Sequence, residues 1–120
     1  MKIGELAKVT GVATSRIRFY EKHGLMPQPV RQENGYRDYP ETMISRLHTI
    51  TMSKALGFSL SEIRRFLPDD PSDIMERAEV ISNLQAKLKD IDQRINDLKS
   101  MRKNVKEMVV YLKDPNSKAC

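Results

Sequence analysis

The sequence predicts a mainly α chain: a helix-turn-helix head with a small β-hairpin wing, followed by one long C-terminal helix that forms a coiled coil. Three observations predict it. Two short amphipathic segments, each stopped by a glycine, fill the first 24 residues. An Asn-Gly pair at 34–35 marks a tight hairpin turn. From residue 72 to Leu112 neither proline nor glycine occurs, and apolar residues recur at alternating steps of four and three.

The first element, "IGELAKVTG", spaces Ile3, Leu6 and Val9 three apart and stops at Gly11, as a short helix does. Thr14 is the expected N-cap of a second helix, and Gly24 its left-handed terminator. Two short helices joined by a tight turn make a helix-turn-helix, whose second helix is normally the reader. At about 100° per residue, Ser15, Arg18 and Lys22 share one polar stripe and Ile17 faces the core. Phe19 and Tyr20 are adjacent and cannot share a direction; Tyr20 is expected at the margin, its hydroxyl free to donate.

In "LMPQPVRQENGYRDYP", Pro27 and Pro29 make the first wing strand an edge. A two-residue Asn-Gly loop predicts Glu33 opposite Tyr36, Gln32 opposite Arg37, Arg31 opposite Asp38 and Val30 opposite Tyr39. Arg31 would then pair its charge with Asp38, and Arg37 near the tip would reach outward. So short a ribbon must lean on the helices.

Pro40 suits the first position of a third helix with Ile44, Leu47 and Ile50 as its apolar stripe and Gly57 as its end. "SLSE" at 59–62 is a capping box that opens a fourth helix burying Ile63, Phe66 and Leu67, which Pro68 stops. Asp70 is the expected cap and Pro71 the first residue of the last helix. Its seam runs through Leu84, Leu88, Ile91, Ile95 and Leu98, takes one three-residue step to Met101, and continues at Val105, Met108 and Leu112. Such a helix is near 60 Å long, and the preceding residues are too few to cover its stripe. A second copy of the chain is the expected cover. The expected organisation is a head over 1–68, a dimerisation helix over 69–113 and a polar tail over 114–120.

Charge adds a partner class. Residues 1–58 carry nine Lys/Arg against five Asp/Glu, and residues 59–120 twelve against eleven, so the net +5 is concentrated in the head. With 39% hydrophobic and 31% charged residues, the chain suits a modest core rather than a large enzyme fold around a deep pocket. No Ser/His/Asp or Cys/His set, carboxylate pair or phosphate-cradling glycine loop is present, so no enzymatic activity is expected. His23 and His48 lack metal-ligand spacing and read as surface or packing residues. The N-terminal stretch has no signal-peptide run and no window could span a bilayer, which points to the cytoplasm.

Taken together, "IGELAKVTGV", "IRFYEKHGL", "ENGYRDY" and "ALGFSLSEIRRFL", followed by the long seam, resemble the MerR family of bacterial transcription regulators. The resemblance runs over roughly the first 67 residues and through the coiled coil to about 112. It implies a homodimer whose antiparallel coiled coil holds two winged heads on an inverted-repeat promoter site in double-stranded DNA, with RNA polymerase at the same promoter. By motif position, Arg18, Tyr20 and Arg37 resemble phosphate clamps, Arg31 and Tyr36 wing contacts, and Ser15 and Arg16 base contacts. Arg16 ranks first for specificity because arginine can bond guanine bidentately. Family members act on promoters by bending and untwisting the spacer, so deformability is part of the readout. A second reading is a protein-interaction adaptor that uses the same head and coil.

Metal-sensing members of the family carry cysteines near the start of the long helix and in a loop after it. Here those segments read "DIMERAEVIS" and "YLKDPNSKAC", with Cys120 the sole thiol. A soft-metal site needs two or more thiolates, so neither a metal nor another cofactor is expected. Drug-sensing members append a ligand domain, for which the residues after Leu112 are too few. The effector is left open among a small molecule between head and coil, a partner protein, and none.

Overall fold

The computed structural model describes all residues except Pro29, Gln32, Asn34, Tyr36, Ser72, Ala119 and Cys120; Val30 and Arg31 are described by their backbone. The elements follow in the order α1 (Ile3–Thr10), α2 (Thr14–Lys22), β1 (Val30–Arg31), β2 (Arg37–Asp38), α3 (Thr42–Ala55), α4 (Leu60–Phe66) and α5 (Arg77–Lys113). They fall into two compact units, Met1–Glu76 and Arg77–Cys120. Among the described residues no helix is long and apolar enough to cross a membrane.

The core of the first unit gathers Leu6, Ile17, Leu25, Tyr39, Leu47, Ile50 and Ile63, all fully buried, where α1 packs on α2 and α3 and α4 closes against α3. In α1 the expected stripe is rotated: Leu6 is central, Ile3 and Ala7 pack beside it, and Val9 is exposed. On the wheel Ile3, Ala7 and Thr10 lie to one side of Leu6 and Val9 to the other, so turning the first three inward turns Val9 out.

Helix ends explain much of the head. Gly11 closes α1 at φ 73, its N–H on the Ala7 carbonyl at 2.9 Å. After α2, Gly24 takes φ 77 and donates to Glu21 O, while Leu25 N–H reaches back to Tyr20 O at 2.9 Å. That is a Schellman stop, and the residue it turns inward is the buried Leu25. Gly57 and Phe58 repeat it after α3, with donations to the Lys54 and Ser53 carbonyls. Ser59 and Glu62 form the expected capping box at the start of α4. Thr14, by contrast, is not a cap: it is the first residue of α2, Ala13 holds the extended cap position, and no side chain caps the helix.

Two starts differ from expectation. Helix α3 begins at Thr42, because Pro40 and Glu41 form a turn in which Met43 N–H donates to Pro40 O. Helix α5 begins at Arg77 rather than Pro71: Asp73 N–H closes a turn on Asp70 O, and residues 73–76 run on without regular structure. Asp-Asp-Pro-Ser is turn chemistry as much as cap chemistry, and here the turn wins. The 37 residues of α5 still make a helix of about 55 Å.

The wing register is also one residue off. Val30 pairs with Asp38 and Arg31 with Arg37, so the connection holds an odd number of residues instead of the expected two. Gly35 supplies a positive φ of 82 within it. The second strand is held from outside the hairpin. Tyr39 N–H donates to Met1 O at 2.8 Å, the Met1 ammonium donates to Asp38 Oδ1 at 2.9 Å, and the Tyr39 ring lies in the core. Asp38 Oδ1 takes the Met1 ammonium, and in the backbone register Arg31 stands opposite Arg37 and Val30 opposite Asp38, instead of the expected Asp38 and Tyr39. The expected Gln32–Arg37 and Glu33–Tyr36 pairs involve residues outside the described set.

Arg46 in α3 ties the pieces together. It donates to the Leu25 and Pro68 carbonyls, each at 2.7 Å, and burial pulls its pKa below the usual guanidinium value while Asp69 partly offsets that.

Candidate nucleic-acid interface

The exposed face of α2 carries Ser15, Arg16, Arg18, Phe19 and Lys22, while Ile17, Tyr20 and Glu21 are buried. Among the described residues, Arg16, Arg18 and Lys22 have no ion-pair partner. Three uncompensated cations on a helix of nine residues concentrate positive potential on one surface. Ser15, Arg16 and Phe19 line an open depression of about 270 Å³ on that surface.

The two aromatics trade the places expected of them. Tyr20 is 2% exposed and Phe19 is 42% exposed. The wheel gives the reason: Tyr20 lies about 60° from the buried Ile17, Phe19 about 160° from it. Phe19 rests on His23, ring centroids 4.2 Å apart, and meets Tyr20 edge to face at 6.0 Å. Tyr20 is thus a core ring at the margin of no groove, and the outward aromatic that the sequence reading passed over is Phe19.

Arg37 does not reach outward unpaired. Its Nη1 lies 3.2 Å from Glu21 Oε2, with the arginine side chain 37% exposed and the glutamate side chain 3%. Among the described residues, neither the buried Glu21 Oε1 nor the buried Tyr39 hydroxyl has a partner in hydrogen-bond geometry, but the two groups are near enough to act on each other. Burial raises the Tyr39 pKa first; the adjacent Glu21 carboxylate adds to the rise and Arg37 opposes it. A glutamate only about 40° from Ile17 on the wheel was a legible sign of a buried acid in need of a cation. Tyr36, and the side chain of Arg31, lie outside the described residues.

In the second unit, Leu84, Leu88, Ile91, Ile95, Leu98, Met101 and Val105 are 38–63% exposed along α5. Among the described residues, no cluster of three or more His, Cys, Asp or Glu is placed to hold a metal ion. Cys120 is not among those described.

Residues 1–70 match the model of the MerR HTH family regulatory proteins, and residues 44–108 match the MerR DNA-binding model. The chain belongs to the MerR family. It is 38% identical over 113 residues to the mercuric resistance operon regulatory protein of Bacillus cereus, covering 94% of this chain and 83% of that one. To the HTH-type transcriptional regulator CueR of Yersinia pestis it is 38% identical over 102 residues, 85% of this chain and 73% of the relative. Its fold is similar to that of the transcription regulator PbrR691 from Ralstonia metallidurans CH34, solved in complex with lead(II), with a TM-score of 0.75 and 30% identity. That match covers 92% of this chain and 86% of the other. MerR-family transcription regulators bind promoter DNA, and this chain is one of them; it is not an enzyme, and the adaptor reading is not favoured.

Proposed function

We propose that this MerR-family chain reads an inverted-repeat promoter site as a homodimer, with α2 of each head in a major groove and the wing along the flanking backbone. The observation that carries the reading is the outward face of α2, where Arg16, Arg18 and Lys22 have no acidic partner among the described residues. Cations held away from carboxylates exchange their counterions for phosphates, the main source of DNA affinity. Within that face, Ser15 and Arg16 stand at the start of the helix for base contacts and Arg18 for a phosphate. Tyr20 is left out, because its ring is buried; Arg31 and Tyr36 are retained from motif position as wing contacts.

Residues 1–68 would be the DNA-binding head and 69–113 the dimerisation segment, with the exposed seam of α5 covered by the same seam of a second copy in an antiparallel coiled coil. RNA polymerase at the same promoter would be served by distortion of the spacer DNA. One relative is named for mercuric resistance and PbrR691 was solved with lead(II). Thiolate donors of the kind soft metals prefer amount in this sequence to Cys120, so the reading includes no metal.

Selection of the purified protein against a random duplex pool tests the proposal. An inverted-repeat consensus is expected, its half-sites separated by whole helical turns or close to them. Weak binding with no consensus would overturn it and return the adaptor reading.

A further inference from the structure

Helix α2 and strand β2 meet at one ion pair, and its geometry sets what Arg37 is able to do. Glu21 is on the buried face of α2, one turn beyond Ile17, and its carboxylate is almost wholly removed from water. Oε2 has the Arg37 guanidinium at 3.2 Å; among the described residues Oε1 has no partner in hydrogen-bond geometry. Among the described residues, Arg37 is the cation that pairs with this carboxylate. A buried carboxylate stripped of its cation is strongly unfavourable. Leaving Glu21 to grip DNA would strand the acid inside the head.

The neighbours of Arg37 point the same way. Asp38, next in the strand, is engaged by the Met1 ammonium, and Tyr39 is anchored by its backbone to Met1 and by its ring in the core. The two residues of β2 and Tyr39 after it are thus fastened to the head. Of the three attachments, the Arg37–Glu21 pair is the salt bridge that joins the wing to α2, the helix that carries the outward cations.

We propose that Glu21 and Arg37 are positioning residues that lock the wing to the reading helix, and that Arg37 stays on Glu21 in the DNA complex instead of serving as a phosphate clamp. This rests on the proposed docking of α2 and the wing on duplex DNA. The pair sets the angle at which the remaining wing meets the backbone flanking the groove, and so couples the two contacts into one rigid reader. A glutamate beside a DNA-binding surface then strengthens binding, the reverse of what its charge alone would do.

That sign reversal is the test. Binding of the full chain to a mixed-sequence duplex is measured across a salt series for wild type, Arg18→Ala, Arg37→Gln, Glu21→Gln and the Glu21→Gln/Arg37→Gln double variant. Glu21→Gln keeps the shape and removes the charge; it is expected to weaken binding about tenfold, with the double variant no worse than the weaker single, as coupled partners behave. Arg37→Gln is expected to leave the slope of log affinity against log salt unchanged, because no phosphate contact is lost. A slope reduced by about one per head in Arg37→Gln, or tighter binding by Glu21→Gln, would overturn the proposal and restore Arg37 as a clamp. The Glu21→Gln/Arg37→Gln double variant strands no buried charge, so it keeps the test alive if a single variant misfolds: its salt slope is likewise expected to match wild type, and a slope reduced by about one per head would overturn the proposal. The docking itself is read separately: Arg18→Ala must lower the slope, and failure of that arm would sink the underlying reading whatever the ion pair does.

Discussion

Arg46 reaches from α3 to donate its Nε–H to the Leu25 carbonyl at 2.7 Å, and Nη1 of the same side chain holds the Pro68 carbonyl, also at 2.7 Å. Leu25 follows the reading helix and Pro68 follows α4, so one guanidinium fixes both exits. Arg46→Met keeps much of the apolar stem and leaves two carbonyls without their charged donor. Hydrogen bonds to charged groups contribute about 1.5–3 kcal/mol each before relaxation and hydration recover part of it. A net loss of about 2 kcal/mol, or about 10 °C in the melting temperature of a head this size, is expected by circular dichroism. An unchanged melting temperature would show that water replaces the arginine at both carbonyls.

The capping box gives a smaller effect of known sign. Ser59 Oγ accepts from Glu62 N–H at 3.1 Å and Glu62 Oε1 accepts from Ser59 N–H at 2.9 Å. Ser59→Ala removes the first bond, and Ser59→Asp preserves it. The alanine variant is expected to lose about 1 kcal/mol in denaturant unfolding, while the aspartate variant stays near wild type.

What the sequence made legible was whatever one residue type dictates locally. Gly24 and Gly57 announced helix stops because a left-handed φ favours glycine, and Ser59 with Glu62 announced a cap because two complementary groups stand three apart. The order of elements and the mainly helical fold followed from such signals and from the seam of α5. The wing was missed for another cause, contacts distant in sequence. The wing register is set where Met1 meets Asp38 and Tyr39, 37 and 38 positions away, and no turn rule sees that. The positions of Tyr20 and Phe19 were legible from the same wheel that placed Ile17, had it been applied to both rings. Glu21 was missed because charged residues read as solvated until a buried neighbour says otherwise.

Phe19 leads to a prediction about bases. A phenyl ring on the outward face of α2, backed by His23 at 4.2 Å and beside Ser15 and Arg16, is placed to meet a thymine methyl once the helix enters a major groove. Replacing the contacted thymine by uracil removes that methyl alone. Wild-type affinity is expected to fall about fourfold, the value of one buried methyl group, while Phe19→Ala binds both duplexes equally weakly. Equal sensitivity of wild type and Phe19→Ala to the uracil exchange would assign the methyl contact elsewhere.

The last prediction concerns the second unit. Leu88 and Ile95 stand seven apart on α5, both well exposed, in a stripe of seven residues that a solvated single helix has no reason to keep apolar. Placing carboxylates within an antiparallel coiled-coil seam buries charge against the apolar seam of the partner helix, which dissociates the pair and leaves an amphipathic helix intact. Leu88→Asp/Ile95→Asp is therefore expected to sediment as a monomer at concentrations where wild type sediments as a dimer. Because two linked heads bind DNA with the second contact made intramolecular, the monomer should lose roughly a hundredfold or more in affinity for an inverted repeat. On a single half-site the two proteins should bind alike. A variant that stayed dimeric would show that the seam faces something other than a second copy. A monomer with undiminished affinity for the inverted repeat would mean that each head reads its half-site alone.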